Sequence, residues 1–398
     1  MNPISSNFSV AALPAIEFGS GKALDVPALA ASLAKRIILV TGKESIETTD
    51  LWSQWIDTFG KLSLQYSRLI IETEPSPILI DTIVNEHRDY KADLVIGIGG
   101  GSVLDAAKAI AGLLTVSRPV TDYLEGVGLE LDYEGQPLPY IAVPTTAGTG
   151  SEMTKNAVLS LQGPAGYKKS FRHNRLVPDY AVVDPDLLET CSPTLIAANG
   201  MDAFTQLMES YVSTKASPFT DALAMDGLTA VSESLLNWYE NTGDVQQART
   251  RMAYGSMLSG ITLAQAGLGS VHGLASPLGA FYPMPHGEVC GTLVAVATQT
   301  NIEALQERQT ENIALKKYAN IGRLLAIQPG LDDTQARQTL LDILHDWTQR
   351  MKLPQLSQYG VDKNSLTKIV ENSRGSSMKT NPIVLTDAEI EKILVDRL

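Results

Sequence analysis

The sequence predicts an α/β domain in residues 1–190, built on a mainly parallel sheet, followed by an all-helical domain in residues 191–398. Two observations support this fold class. Short runs of β-branched residues alternate with helical patterns in the first half, which is typical of βαβ units. From about Ser192 onward the strand-like runs nearly vanish, and long stretches of helical periodicity take their place.

Five runs predict the strands of the first domain: Arg36–Thr41, Ser67–Ile71, Leu94–Ile98, Tyr140–Val143 and Tyr180–Val183. Five longer stretches predict helices of the second domain: Leu195–Val212, Thr220–Glu240, Ala248–Leu263, Asn301–Leu324 and Asp333–Met351. Turn residues follow the strand ends, among them Gly42 and the segment Pro144–Gly150. Because ligands of open α/β sheets bind at these carboxyl ends, we expect the functional loops of the first domain there.

The composition excludes several classes of function. The chain has 398 residues, of which 44% are hydrophobic and 19% charged, as in an ordinary globular protein. Its net charge of −13 argues against a surface for nucleic acid or for an acidic membrane. The chain contains two cysteines, Cys191 and Cys290, and its N-terminus lacks the pattern of a signal peptide. We therefore expect a cytoplasmic protein that binds neither nucleic acid nor membrane.

The segment Asp93–Lys108 is informative because a buried strand leads through a glycine turn into a helix. The residues at the predicted helix N-terminus are Gly99, Gly100, Gly101 and Ser102. There the free N–H groups and the helix dipole favour an anion, and glycine lets a pyrophosphate approach the main chain. Ser102 stands in place of the third glycine of the usual dinucleotide fingerprint. A tight turn without a ligand is the alternative interpretation.

A second set of polar residues lies in the helical half. His272 and His286, two of the five histidines, fall within one short segment. Asp202 and Gln206 are four residues apart on a predicted helix, so both project from one face. A carboxylate and two imidazoles form a Zn²⁺ or Fe²⁺ ligand set that leaves a position open for substrate. Taken singly, each of these residues is more often a structural residue than a metal ligand, so the hypothesis depends on their combination with the glycine loop.

Six segments together resemble the iron-containing (group III) alcohol dehydrogenases in residues, order and spacing. These segments are Gly99–Lys108, Pro144–Glu152, Val183–Leu187, Met201–Gln206, Val271–His286 and Asn381–Glu389. The resemblance covers essentially the whole chain. It implies a Rossmann-like dinucleotide-binding α/β domain and an all-α metal-binding domain, a dehydroquinate synthase-like fold, with the active site in the cleft between them.

The resemblance also implies roles for individual residues. The glycine loop corresponds to the pyrophosphate loop, and Asp105 to the acid that follows it. Thr145, Thr146 and Thr149 resemble the threonines that line the nicotinamide and phosphate side, although turn hydroxyls without a ligand are the alternative. Lys168 occupies the position of a lysine near the cofactor ribose, and a surface lysine is the alternative there.

Asp202, His272 and His286 resemble three of the four metal ligands of the family, but two positions depart from its pattern. Position 206 is Gln where iron-binding members have His, which leaves an amide oxygen as a weak ligand. Position 276 is Ser where many members have a histidine for substrate or proton handling. The set also resembles the zinc-dependent glycerol dehydrogenases, so Fe²⁺ and Zn²⁺ both stay open. The related maleylacetate reductases, which look metal-independent, are a third option.

The choice between NAD and NADP has one local signal. Members that prefer NAD often carry an acidic residue after the first strand, where it binds the ribose and repels a 2′-phosphate. Here Gly42 leaves space and Lys43 supplies positive charge, which favours NADP. The acidic Glu44 counts against a preference for NADP. The alternative is that Gly42 only forms the turn and that Lys43 is a solvated surface residue without a role in cofactor binding.

These observations predict an NAD(P)-dependent alcohol dehydrogenase or aldehyde reductase that acts on a small alcohol or carbonyl. His272, His286 and Ser276 are the predicted catalytic residues, and the metal ligands are predicted to be Asp202, Gln206, His272 and His286. The resemblance further implies a homodimer or larger homo-oligomer. Two alternatives are a metal-independent reductase of an activated oxo acid, similar to maleylacetate reductase, and a catalytically silent nucleotide-binding protein of the same fold.

Overall fold

The computed structural model describes residues 7–43 and 46–398, so Glu44 lies outside the described residues. The chain divides into two compact units. One contains Ala11–Leu161 and Lys168–Cys191, and the other contains the described residues up to Val10, Gln162–Tyr167 and Ser192–Leu398. The short segment Gln162–Tyr167 therefore belongs to the helical unit, although it lies within the first half of the sequence.

The first unit is built on a parallel sheet. Its strands are β1 (Ala15–Phe18), β2 (Arg36–Thr41), β3 (Gln65–Ile70), β4 (Leu94–Gly99), β5 (Tyr140–Pro144), β6 (Asn156–Leu161), β7 (Tyr167–Arg172) and β8 (Tyr180–Val183). Strands β6 and β7 form a separate two-stranded sheet. Its helices are α1 (Val26–Leu33), α2 (Asp50–Lys61), α3 (Pro77–His87) and α4 (Gly101–Leu113). The strand order of the main sheet is β1-β8-β5-β4-β2-β3, and the recorded pairings are parallel.

Burial explains why the central strands are continuous apolar runs. Every residue of β4 and β5 is buried, as expected where helices cover both faces of a parallel sheet. From α2, Trp55 and Phe59 are fully buried in this core, and the Trp55 indole donates a 2.8 Å hydrogen bond to the Ala23 carbonyl. The polar end of the tryptophan is thus satisfied while its ring fills the core.

The connections change direction between β2 and β4. From β2 the chain passes outward to β3, and β4 then returns to the other side of β2 before β5 continues away from it. The register pairs Thr41 of β2 with Ile98 of β4, so the two strands end at the same level. This is the switch point where open α/β sheets bind ligands. Gly42 follows one of these strands and the glycine loop follows the other.

The second unit is helical over most of its length. Its helices are α5 (Pro193–Val212), α6 (Pro218–Ser232), α7 (Leu235–Tyr239), α8 (Val245–Ala266), α9 (Ser270–Phe281), α10 (His286–Arg308), α11 (Ile313–Ala326), α12 (Asp333–Arg350), α13 (Leu366–Asn372) and α14 (Asp387–Val395). Together the two units confirm the predicted fold class, a parallel α/β part followed by a helical part.

Several predicted boundaries were wrong. The helix predicted over Thr220–Glu240 is interrupted after Ser232, and the one predicted over Asn301–Leu324 is interrupted after Arg308. At the second break Asn312 caps α11, because its side chain accepts a hydrogen bond from the Ala314 N–H. The strands β1, β6 and β7 were not predicted. Within residues 7–43 and 46–398, no helix is long and apolar enough to cross a membrane.

Candidate metal and nucleotide sites

One face of α5 supplies the carboxylates of a buried polar cluster. The N-terminus of the helix is well defined, because the Ser192 side chain caps it by accepting a hydrogen bond from the Leu195 N–H and Pro193 occupies its first turn. Asp202, Gln206 and Glu209 follow at intervals of four and three residues, so they share one face of the helix. All three side chains are buried. Buried carboxylates such as those of Asp202 and Glu209 are unusual unless a charged or hydrogen-bonding group lies beside them.

Two helices bring the histidines to this face. His272 lies in the first turn of α9 and is buried, whereas His286 is the first residue of α10 and keeps 28% of its side chain exposed. His272 Nε2 lies 3.2 Å from Asp202 Oδ1, and His286 Nε2 lies 3.7 Å from the same oxygen. The structure therefore brings together three of the four residues that the sequence predicts as metal ligands.

A fourth donor joins them. Cys290, one turn after His286 on α10, places its Sγ 3.6 Å from His272 Nε2 and 3.8 Å from His286 Nε2. One ligand atom from each of Asp202, His272, His286 and Cys290 lies within 4.8 Å of the others. We call this group of four residues the donor cluster. The sequence analysis did not assign Cys290 to the site.

Glu209 holds His272 in one orientation. Its Oε2 accepts from His272 Nδ1 at 2.6 Å and from the Gly269 N–H at 2.9 Å, while Oε1 accepts from the Val271 N–H at 2.7 Å. With its Nδ1 proton committed to this carboxylate, the imidazole directs Nε2 toward the donor cluster. A carboxylate that orients a ligating histidine in this way is a recurrent feature of metal sites. The sequence analysis missed Glu209.

The charges around the cluster attract a cation. Burial alone lowers the pKa of His272, but neighbouring Cys290, Glu209 and Asp202 raise it well above its ordinary value. Burial alone raises the pKa of Asp202, but the imidazoles of His286 and His272 bring it below its ordinary value. Oδ2 of Asp202 is buried and has no hydrogen-bond partner among the described residues. An anionic donor set with an unsatisfied buried oxygen fits a divalent cation.

The two positions that depart from the family pattern occupy different surroundings. Gln206 Oε1 accepts a 2.7 Å hydrogen bond from the Ser259 hydroxyl of α8, and both residues are buried. Weak ligation by Gln206 stays a prediction. Ser276 lies one turn after His272 on α9 and is partly exposed, so the two residues share a face of that helix.

In the first unit, the glycine turn opens α4 as predicted. Gly100 is the N-cap residue, no side chain caps the first turn, and Gly100, Gly101 and Ser102 are only partly buried. The first N–H groups of α4 are therefore not satisfied by a capping side chain. This arrangement favours an anion at the start of α4.

Packing explains two of the three glycines. A Cβ on Gly99 would come within 2.6 Å of Val103 Cγ2, and a Cβ on Gly101 would come within 2.6 Å of Thr149 Cγ2. At Gly100 the nearest atoms, on Thr146, would be 3.5 Å away, which is an ordinary contact. Neighbouring side chains thus require glycine at 99 and 101, whereas position 100 has room for a methyl group.

The predicted threonines flank this loop. Thr145 donates its N–H to the Gly99 carbonyl at 3.0 Å, which ties the end of β5 to the glycine turn. Thr149 Oγ1 accepts from the Ser151 N–H at 3.3 Å, and Thr146 is partly exposed beside Gly100. The loop after β5 and the loop after β4 therefore form one continuous surface within this unit.

The charged residues predicted for the nucleotide site have partners inside the unit. Asp105 accepts from the Ser151 hydroxyl at 2.5 Å and from the Val158 N–H at 3.0 Å. Lys168 forms an ion pair with Glu74 at 2.5 Å. Exposed Lys43 lies 3.6 Å from Glu72, so its charge is partly balanced. Their roles in cofactor binding stay predictions.

Lys108 is a buried cation that the sequence analysis did not single out. Its Nζ donates to the Ser151 and Asn156 carbonyls and to the Thr154 hydroxyl at 2.8–2.9 Å, and the residue is 1% exposed. Burial lowers its pKa to about 8. The lysine thus fixes the segment after the threonine loop to α4.

Comparisons with known proteins agree with this geometry. The family model described as "Iron-containing alcohol dehydrogenase" matches residues 14–185, and the model of the C-terminal part of the Fe-containing alcohol dehydrogenase family matches residues 196–398. The chain belongs to the iron-containing alcohol dehydrogenase family. It is 36% identical over 310 residues to the long-chain-alcohol dehydrogenase 1 of Geobacillus thermodenitrificans (strain NG80-2), covering 77% of this chain and 75% of that protein.

Two further relatives extend the comparison. An NADPH-dependent butanol dehydrogenase of Clostridium saccharobutylicum is 29% identical over 372 residues, which cover 90% of each protein. The solved structure of an alcohol dehydrogenase from Oenococcus oeni superposes with a TM-score of 0.88 at 27% identity, covering 98% of this chain and 100% of that one. The predicted function is confirmed at this level: the chain is an NAD(P)-dependent alcohol dehydrogenase, an oxidoreductase that acts on CH–OH groups.

Proposed function

We propose that the chain interconverts a small alcohol and its carbonyl with NADP or NAD, assisted by a divalent cation held by Asp202, His272 and His286. The observation that carries this proposal is the convergence of these three side chains, with Asp202 Oδ1 3.2 and 3.7 Å from the two imidazole nitrogens. When bound, the cation supplies Lewis acidity toward the substrate oxygen, and the nicotinamide supplies or accepts the hydride.

The residues of the helical unit have separate tasks in this proposal. Asp202 provides the negative charge, and Glu209 keeps His272 in the tautomer whose Nε2 is available. His286, with 28% of its side chain exposed, lies on the accessible side of the cluster, where substrate enters. The Ser276 hydroxyl, one turn from His272, is the group we propose to pass a proton between the substrate oxygen and water.

The first unit binds the nucleotide in this proposal. Gly99, Gly100, Gly101 and Ser102 receive the pyrophosphate at the start of α4, and Thr145, Thr146 and Thr149 line the same surface. Gly42 and Lys43 lie at the neighbouring strand end, where Gly42 leaves space for a ribose. We propose a preference for NADP, supported by the positive charge of Lys43; the nearby Glu72 moderates that charge. Lys168 and Asp105 would act on the cofactor through the surrounding loops.

We further propose two domains, residues 1–190 and 191–398, and a homodimer or larger homo-oligomer in the cytoplasm. A reducing compartment suits two cysteines that form no disulfide with each other, Cys191 and Cys290. Light scattering of the purified protein measures the oligomeric mass. A monomeric mass would contradict the oligomer.

The test of the proposed function follows the absorbance of the reduced nicotinamide with a panel of primary alcohols and aldehydes. We expect turnover with NADPH to exceed turnover with NADH, loss of turnover on chelation, and recovery when Zn²⁺ or Fe²⁺ is added back. No turnover with any member of the panel would contradict the proposal. Cofactor binding without turnover would instead favour a silent nucleotide-binding protein.

A metal-independent reductase of an activated oxo acid is the second candidate. The observation that favours it is Gln206, which stands where iron-binding members have histidine and engages Ser259. In that case His272 and His286 would orient or protonate the substrate directly. Full activity on an oxo acid after complete removal of metal would support this candidate over the first.

A further inference from the structure

The donor cluster contains one more candidate donor, Cys290, than the three residues named in the proposed function. Cys290 follows His286 by four residues on α10, so both side chains leave the same face of the helix. Its thiol is fully buried against the two imidazoles. A cysteine that only fills space in the core would not need two imidazoles beside its sulfur. The sulfur of the other cysteine, Cys191, instead lies 3.5 Å from the Thr145 carbonyl oxygen.

We propose that Cys290 is a ligand of the metal, and that the donor cluster consequently binds Zn²⁺ in preference to Fe²⁺. This inference rests on the proposed function, because it concerns the same site. The thiolate supplies a fourth donor where Gln206 stands in place of a histidine, and the substrate oxygen would bind as a fifth ligand, a coordination number that catalytic zinc can reach. Binding of the cation releases the thiol proton to solvent, so no oxidant or reductant is required.

The distances within the cluster fit one tetrahedral ion. Zinc bonds of about 2.0 Å to nitrogen or oxygen and about 2.3 Å to sulfur, at the tetrahedral angle, separate neighbouring donors by about 3.3 Å for nitrogen–oxygen pairs and about 3.5 Å for nitrogen–sulfur pairs. The structure has 3.2 and 3.7 Å between the imidazole nitrogens and Asp202 Oδ1. It has 3.6 and 3.8 Å between the same nitrogens and Cys290 Sγ. The distances between these four side chains therefore match those around one tetrahedral zinc ion.

The chemistry of the donors favours zinc. Thiolates are soft ligands that select zinc, whereas two histidines and one carboxylate without sulfur are a set typical of non-haem Fe²⁺. For the same nitrogen, oxygen and sulfur donors, Zn²⁺ also binds more tightly than Fe²⁺ in the general order of divalent metals. The softness of the thiolate and the general affinity order both favour Zn²⁺ over Fe²⁺.

The test uses Co²⁺ as a coloured substitute for Zn²⁺ in the full-length protein. Metal is removed with a chelator, Co²⁺ alone is added, and absorption spectra are recorded for wild type, Cys290→Ser and Cys191→Ser. We expect wild type and Cys191→Ser to show a thiolate-to-cobalt charge-transfer band in the near ultraviolet. Cys290→Ser is expected to bind Co²⁺ through the other three ligands but to lose that band, with an unchanged circular dichroism spectrum.

X-ray absorption at the zinc edge of wild-type protein loaded with Zn²⁺ gives a second readout that needs no variant. We expect a sulfur neighbour at about 2.3 Å. In competition between Zn²⁺ and Fe²⁺, the preference for zinc should fall at least about 10-fold in Cys290→Ser, on the scale at which supporting groups alter metal affinity.

The outcomes separate the two proposals. Bound Co²⁺ without a thiolate band in wild type, or a band that persists in Cys290→Ser, overturns the role of Cys290 and leaves the three-ligand site intact. Absence of Co²⁺ binding by wild type overturns both the cysteine ligand and metal-assisted catalysis.

Discussion

Replacing Glu209 with Gln tests how the site orients His272. The carboxylate accepts three hydrogen bonds, at 2.6 Å from His272 Nδ1, 2.9 Å from the Gly269 N–H and 2.7 Å from the Val271 N–H. An amide offers one accepting oxygen, so its NH₂ group must face either the Val271 N–H or the His272 and Gly269 donors. In the less costly orientation, with the NH₂ group toward Val271, the protein loses the hydrogen bond of the Val271 N–H and also buries the amide NH₂ without an acceptor.

These losses set the expected magnitude. A hydrogen bond to a charged group contributes about 1.5–3 kcal/mol, and an unsatisfied buried donor costs about 1–3 kcal/mol. We therefore expect Glu209→Gln to lower the free energy of unfolding of the metal-free protein by roughly 2.5–6 kcal/mol. Metal affinity should fall about 10- to 100-fold, because His272 loses the carboxylate that fixes its tautomer and strengthens its Nε2 donor.

Urea denaturation in the presence of chelator measures the stability, and calorimetric titration with Zn²⁺ measures the affinity. Glu303→Gln is the matched control, since the Glu303 side chain is 49% exposed in its ion pair with Lys392 and such pairs contribute little. If Glu209→Gln and Glu303→Gln behave alike in both assays, the argument for an orienting carboxylate is refuted.

Two further predictions concern the first unit. Gly100→Ala should leave the fold intact, since the φ of −73° and ψ of −178° at this position suit alanine, but it should weaken NADP binding. Gly101→Ala should instead lower the free energy of unfolding by roughly 1–3 kcal/mol, because the new methyl group contacts Thr149. Cofactor titration and thermal melting of both variants check these expectations, and equal cofactor affinity in wild type and Gly100→Ala would contradict the assignment of the glycine loop to the cofactor. Because burial lowers the pKa of Lys108 from 10.5 to about 8, the unfolded chain binds the extra proton between these pH values, so stability should rise from pH 8 to pH 10. The rise should disappear in Lys108→Met when urea denaturation is compared at the two pH values, and parallel behaviour of the two proteins would show that the buried lysine does not titrate in this way.

The sequence was informative wherever a local pattern reports directly on structure. The apolar runs of β2, β4 and β5 are buried on both faces, so their β-branched composition located them. The glycine turn and the i, i+4 spacing of Asp202 and Gln206 likewise depend on neighbouring residues only. These features were placed correctly because no distant contact is needed to produce them.

The features that were missed depend on contacts between distant segments. The chain breaks after Ser232 and after Arg308, where tertiary packing and the Asn312 cap override a continuous helical pattern. Glu209 gains its role from partners on α9, although its position seven residues after Asp202 was a detectable signal. Cys290 was similarly detectable, because it follows His286 by one helical turn, but its meaning required the convergence of α5, α9 and α10.

The metal content of the protein as isolated, without chelator, tests the central claim most directly. Elemental analysis by mass spectrometry is applied to wild type, His272→Ala and His345→Ala, the last being a histidine on α12 outside the donor cluster. We predict stoichiometric zinc or iron in wild type and His345→Ala, and its loss in His272→Ala. Equal metal in all three proteins, or full alcohol dehydrogenase activity in wild type without metal, would contradict the account.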